Sequence, residues 1–105
     1  MIKIIREDFE VDKNEIYDVI IDNLEMLEIA NDEIKNLNIK SGQHTIMVRS
    51  KSFSSEKIDF SINSGEIIEF KCGPKFTESN LSKIFYKTIF GGKGLYLSKK
   101  MDFYL

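Results

Sequence analysis

Tryptophan is absent from this sequence, and cysteine and histidine occur once each among 105 residues. A lone cysteine closes no internal disulfide. One cysteine and one histidine also fall short of a structural zinc site, which takes four ligands drawn mainly from those two types. Long apolar runs are missing too. The start, "MIKIIREDFE", reaches charged residues before any stretch long enough for an export signal. Later apolar runs are cut by lysines well short of the ~20 residues of a bilayer-spanning helix. These absences predict a cytoplasmic, reducing location and a chain that needs no cofactor or metal to fold. What is present suits one soluble domain: 42% apolar and 30% charged residues, in a length that folds on a single core.

The formal net charge of -2 conceals an asymmetry. Residues 1–70 hold 8 Lys or Arg against 15 Asp or Glu, whereas residues 71–105 hold 7 against 2. Nucleic-acid binding requires a clustered basic face, which the first two thirds cannot supply, so nucleic acid is an unlikely partner.

Apolar residues recur with a two-residue period along most of the chain, the signature of strands with one buried face. In "IKIIREDFEV", Ile5, Phe9 and Val11 share a phase and predict a first strand. "IYDVIID" sets Tyr17, Val19 and Ile21 on one face and Asp18 and Asp22 on the other. Asp22-Asn23 suits a tight hairpin turn into "LEMLEIA". "EIKNLNIK", with Leu37 and Ile39 in phase, ends at Ser41-Gly42. His44, Ile46 and Val48 then alternate with Thr45, Met47 and Arg49; Ile58, Phe60 and Ile62 follow, and Ile68, Phe70 and Cys72 close the series. Seven strands at short intervals, with no space for helical crossovers, predict a single antiparallel β-sandwich over residues 1–75.

The order of "YDVIID", a turn, "SGQHTI", a short polar link, "IDFSI" and "GEIIEF" resembles the PEGA-type β-sandwich domain over residues 16–72. That family's turn before the histidine strand reads Pro-Gly-x-His. Here Ser41, Gly42, Gln43 and His44 take those places, without the proline. The resemblance implies a small binding or spacer module, often attached at a cell surface, with no catalytic centre.

Beyond Cys72-Gly73-Pro74 the periodicity changes. Leu81, Ile84, Phe85 and Ile89 fall at helical spacing, Thr77, Ser79 and Asn80 offer N-caps, and Gly91-Gly92 offers a stop, which predicts a helix packed on the sandwich. The strand-prone run from Ile84 to Phe90 leaves a hairpin across Gly91–Gly94 open. "LYLSKKMDFYL" reads as a last edge strand or an adhesive tail.

Reaction chemistry has few candidates. His44 and Cys72 are the one base and thiol, but both fall in apolar strand phases, which predicts a bonded histidine and an inert buried thiol. "DKNEIYD" offers Asp12, Asn14 and Asp18, yet a calcium loop needs Gly and Glu where Tyr17 and Asn23 stand. "GGKG" lacks the length of a phosphate loop. The expected role is therefore a non-catalytic protein-interaction module. An alternative is a peripheral protein on an anionic membrane surface, held by the basic, aromatic segment 76–105. The contact residues expected for either are Lys83, Lys87, Phe90, Lys93, Tyr96, Lys99, Lys100, Phe103 and Tyr104. A small-ligand or carbohydrate binder is a further alternative, disfavoured by the missing tryptophan.

Overall fold

A computed structural model describes residues 1–75 and 92–100, and within them the chain is mainly β, with eight strands in two four-stranded sheets. β1 (Ile2–Arg6), β4 (Ile34–Leu37), β7 (Ile68–Pro74) and β8 (Leu95–Lys99) form the first sheet, in the order β4-β1-β7-β8. β2 (Tyr17–Ile21), β3 (Leu24–Ile29), β5 (Gly42–Arg49) and β6 (Ile58–Ile62) form the second, in the order β3-β2-β5-β6.

The alternation places the core. Ile2, Ile4 and Phe70 of the first sheet join Tyr17, Val19, Ile46, Val48 and Phe60 of the second in one buried cluster. Phe60 and Phe70 meet edge to face with centroids 5.1 Å apart, so the two sheets touch through aromatic rings. Each fully buried aliphatic or aromatic side chain contributes about 1.5–3 kcal/mol, which makes this shared interior the main source of stability. Asp22 and Asn23, at φ of 52° and 66°, make the two-residue turn between β2 and β3 that their side chains favour.

Two features depart from the sequence reading. The first strand buries Ile2, Ile4 and Arg6 in place of the Ile5 and Phe9 phase, because it ends at Arg6 and carries a charge on its inner face; Val11 is buried from the connection that follows. β1 and β7 run parallel, with Ile2 opposite Ile68 and Arg6 opposite Cys72, so the arrangement is not wholly antiparallel. No helical crossover is needed, because the chain between them builds the whole second sheet. The last edge strand offered by "LYLSKKMDFYL" is present over residues 95–99, where it pairs with β7 and completes the first sheet. The predicted helix or hairpin over residues 77–90 lies outside the described residues.

The chain passes between the sheets through residues 7–16, 30–33, 38–41 and 63–67, two passages at each end of the strands. These ends differ in how they are closed.

Candidate functional site

Arg6 closes the first end. Its side chain points between the sheets, is 1% exposed, and lies 3.7 Å from the centroid of the Tyr17 ring. The guanidinium donates to the carbonyls of Asp12 (2.6 Å), Glu15 (2.5 Å) and Ile29 (3.0 Å), so it pins the 7–16 connection to β3. Asp12 sits at φ 61° and its carboxylate accepts a 3.0 Å bond from the Tyr17 hydroxyl. Burial, aided by Asp12, holds that phenol protonated well above its ordinary range. Among the described residues Arg6 Nε is buried without a hydrogen-bond partner. All of this is structural chemistry, since the guanidinium is sealed from any ligand.

At the other end a groove of about 420 Å3 lies between the 38–41 and 63–67 connections. The register that sets Gly42 opposite Ile62 brings Ser41 beside Asn63, so the two Ser-Gly steps flanking the β5–β6 hairpin meet at one place. Asn38, Ser41, Asn63 and Ser64 supply neutral donors and acceptors; Ile39 and Ile67 supply apolar surface. Ile67 is 58% exposed. Gly65, at φ 81°, makes the tight turn between Ser64 and Glu66, and the Glu66 carboxylate accepts the Asn63 N–H at 2.9 Å. The Met1 ammonium donates to the Glu66 carbonyl at 3.0 Å, which ties the start of β1 to the groove rim. Sequence alternation puts Asn38 and Ile39 in the fourth strand and Ser41-Gly42 at its turn, whereas β4 ends at Leu37 and frees residues 38–41 to line the groove. Paired Ser-Gly steps at both ends of one hairpin were the available signal.

His44 does not line the groove but bonds the 38–41 connection that does. One ring nitrogen, Nδ1, lies 2.6 Å from Asp22 Oδ2, and the other, Nε2, lies 2.6 Å from the Lys40 carbonyl. The Asp22 bond, then the Lys40 bond, raise its pKa above the ordinary histidine value. Asp22 also accepts the Thr45 N–H at 2.9 Å, and its carboxyl is held below its usual range by His44 first and Thr45 second.

The thiol and the base are not brought together. Cys72 is fully buried on β7 beside Arg6 of the neighbouring strand, and burial pushes its thiol up to about 12. Asp12 serves the Tyr17 phenol, and among the described residues no group of three or more His, Cys, Asp or Glu could hold a metal ion.

Of the expected contact residues, Lys83, Lys87, Phe90, Phe103 and Tyr104 lie outside the described residues. Lys93, Lys99 and Lys100 are exposed; Lys100 pairs with Glu69 at 3.6 Å. Tyr96 faces inward. Its hydroxyl donates to Glu7, its ring packs edge-on against Phe9, and Gly73 leaves room for it, since a Cβ there would stand 2.9 Å from the ring. Burial, then the Glu7 bond, keep this phenol protonated far above its usual range.

Among the described residues the two outer faces differ in charge. That of the second sheet carries Asp18, Glu25, Glu28 and Asp59, with Arg49 bonded to Glu25 and 3.9 Å from Asp18. That of the first carries Lys3, Lys71 and Lys100 around Glu69. Among the described residues no helix is long and apolar enough to cross a membrane. No protein-family model, no curated protein and no solved structure matches this chain.

Proposed function

We propose that the protein is a β-sandwich interaction module without a reaction centre of its own, and that an extended segment of a protein partner lies in the groove between residues 38–41 and 63–67. The observation that carries this reading is the groove's make-up: side-chain amides and hydroxyls able to bond a peptide backbone, beside an isoleucine left 58% exposed. Its volume falls within the ~300–1,000 Å3 range of ligand sites. A peptide fits better than a sugar, because no residue lining the groove is aromatic. The resemblance of residues 16–72 to PEGA-type domains implies the same kind of role.

The test is selection of binders from a random peptide library, followed by mapping of backbone amide shifts. Shifts confined to residues 38–41 and 63–67, and binding lost in Ile67→Asp but kept in Ile34→Asp, support the reading. Shifts on an outer sheet face, or no selected peptide, overturn it.

The exposed lysines at and beside β8, Lys93, Lys99 and Lys100, favour a second reading as a peripheral protein on an anionic membrane surface. Flotation with anionic vesicles that weakens with salt supports it; equal flotation with neutral vesicles, or none, removes it.

A further inference from the structure

We propose that protonation of His44 gates the 38–41 wall of the groove, the imidazolium clamping that wall and the neutral ring releasing it. The inference deepens the docking reading above and rests on it.

Both partners of the ring are acceptors, a carboxylate and a carbonyl, each 2.6 Å away. Only the doubly protonated ring donates to both. When one proton leaves, the choice of nitrogen decides what moves. Asp22 is charged, fixed in the β2–β3 turn at φ 52° and tied by the Thr45 N–H, so the charge-assisted bond at Nδ1 is the stronger and keeps its proton. Nε2 then turns a lone pair toward the Lys40 oxygen, and at 2.6 Å that contact is repulsive. The bond that breaks is therefore the one to Lys40, which lies between Ile39 and Ser41 of the groove wall. Residues 38–41 belong to neither flanking strand, since β4 ends at Leu37 and β5 begins at Gly42.

The charged groups around the ring reinforce this outcome. Asp22 comes from the β2–β3 turn, whose Asn23 is bonded by the Lys57 ammonium at 2.7 Å. Lys40 comes from the 38–41 connection and is exposed. From β6 the ring meets Phe60, with centroids 5.7 Å apart, while the neighbouring Asp59 faces outward opposite Thr45. The ring is 13% exposed, which leaves solvent a route to the proton.

The experiment uses the full chain without a partner. Side-chain nitrogen spectra of the single histidine, and hydrogen exchange of the amides at residues 39–42 corrected for intrinsic rates, are followed from about pH 5 to about pH 8. The expected result is loss of the proton from Nε2 while Nδ1 keeps it. Protection of the wall should fall about fivefold or more at the same midpoint, as the loss of one net hydrogen bond implies. Asp22→Asn should move both midpoints down together, and His44→Gln should leave wall protection without a pH step. Loss of the proton from Nδ1, or wall protection that stays flat through the histidine titration, overturns the proposal. Peptides selected at low pH separate the two readings. A gated wall with peptides bound elsewhere sinks docking alone; peptides in the groove of a wall indifferent to pH sink gating alone.

Discussion

The two ends of this molecule are closed by the same device with different chemistry. At one end Arg6 donates to the Asp12 and Glu15 carbonyls of a passage between sheets; at the other, His44 donates to the Lys40 carbonyl of another. Beside each stands an aspartate at positive φ, Asp12 at 61° and Asp22 at 52°, bonded to a neighbouring side chain. The difference lies in the cation. A guanidinium stays charged across the accessible pH range, and Arg6 is buried, so that end is permanently shut. An imidazole can lose its charge near neutrality, and His44 bonds the Lys40 carbonyl of a connection that lines a groove, so the bond at that end depends on protonation. One end is held by a cation that keeps its charge, the other by one that can lose it.

Breaking the Arg6 end should cost most. Arg6→Met removes three hydrogen bonds from a charged donor, one buried and two part-buried, and because the Asp12 carbonyl keeps the Glu15 N–H the loss is about 2–3 kcal/mol, at about 1 kcal/mol for each bond. Arg6→Lys should recover little of it, because a single ammonium cannot span three acceptors set around a planar fork. The denaturation midpoint in urea checks both. A midpoint within experimental error of the parent would mean that Arg6 does not hold the 7–16 connection.

The glycines sharpen the same contrast at a smaller scale. Gly94, on the Arg6 side, has no room: a Cβ there would stand 2.5 Å from the Phe53 ring. Gly94→Ala should therefore destabilise by about 1–3 kcal/mol through overpacking, and Phe53→Leu in the same chain should relieve part of that loss. Gly65, at the groove, has nothing within 4 Å of the corresponding position but sits at φ 81°. Gly65→Ala should cost about 1 kcal/mol through backbone strain alone, and Gly65→Asn less, since asparagine tolerates the left-handed region. Equal losses at Gly94 and Gly65, both relieved by Phe53→Leu, would erase the distinction between a packed end and an open one.

The legible and illegible parts of the chain differ for a physical reason. The inner faces of β2, β5, β6 and β7 follow from local alternation, and the β2–β3 turn follows from Asp22-Asn23, because a strand's period and a tight turn are properties of adjacent residues. Arg6 was illegible because a charge on the inner phase reads as an outward residue; its compensation comes from carbonyls at positions 12, 15 and 29, which only the fold brings near. The parallel pairing of β1 with β7 was illegible for the same cause, since those strands are separated by the whole second sheet. The groove stood between the two cases. Its Ser-Gly steps were visible as residues, but that they face each other depends on the register of Gly42 with Ile62.

The smallest expected effect is the most diagnostic of the difference between the ends, because only one of them titrates. His44 has a folded-state pKa raised above its unfolded value by Asp22 and the Lys40 carbonyl. Its contribution to stability is therefore fully present below the unfolded pKa and is lost as pH rises through the folded one. Asp22 has the opposite sign: its carboxyl is depressed, so its contribution is present above its unfolded pKa and disappears as pH falls through the lowered value. The clamp is thus intact in a window between the carboxylate range and the raised histidine value. Unfolding free energy measured across that window should decline on the alkaline side in the parent chain. In His44→Gln that decline should vanish, because no other histidine exists to replace it. Arg6→Lys, a far less stable protein, should keep the same alkaline slope as the parent. A slope that survives in His44→Gln would place the titrating group elsewhere and leave the two ends chemically alike.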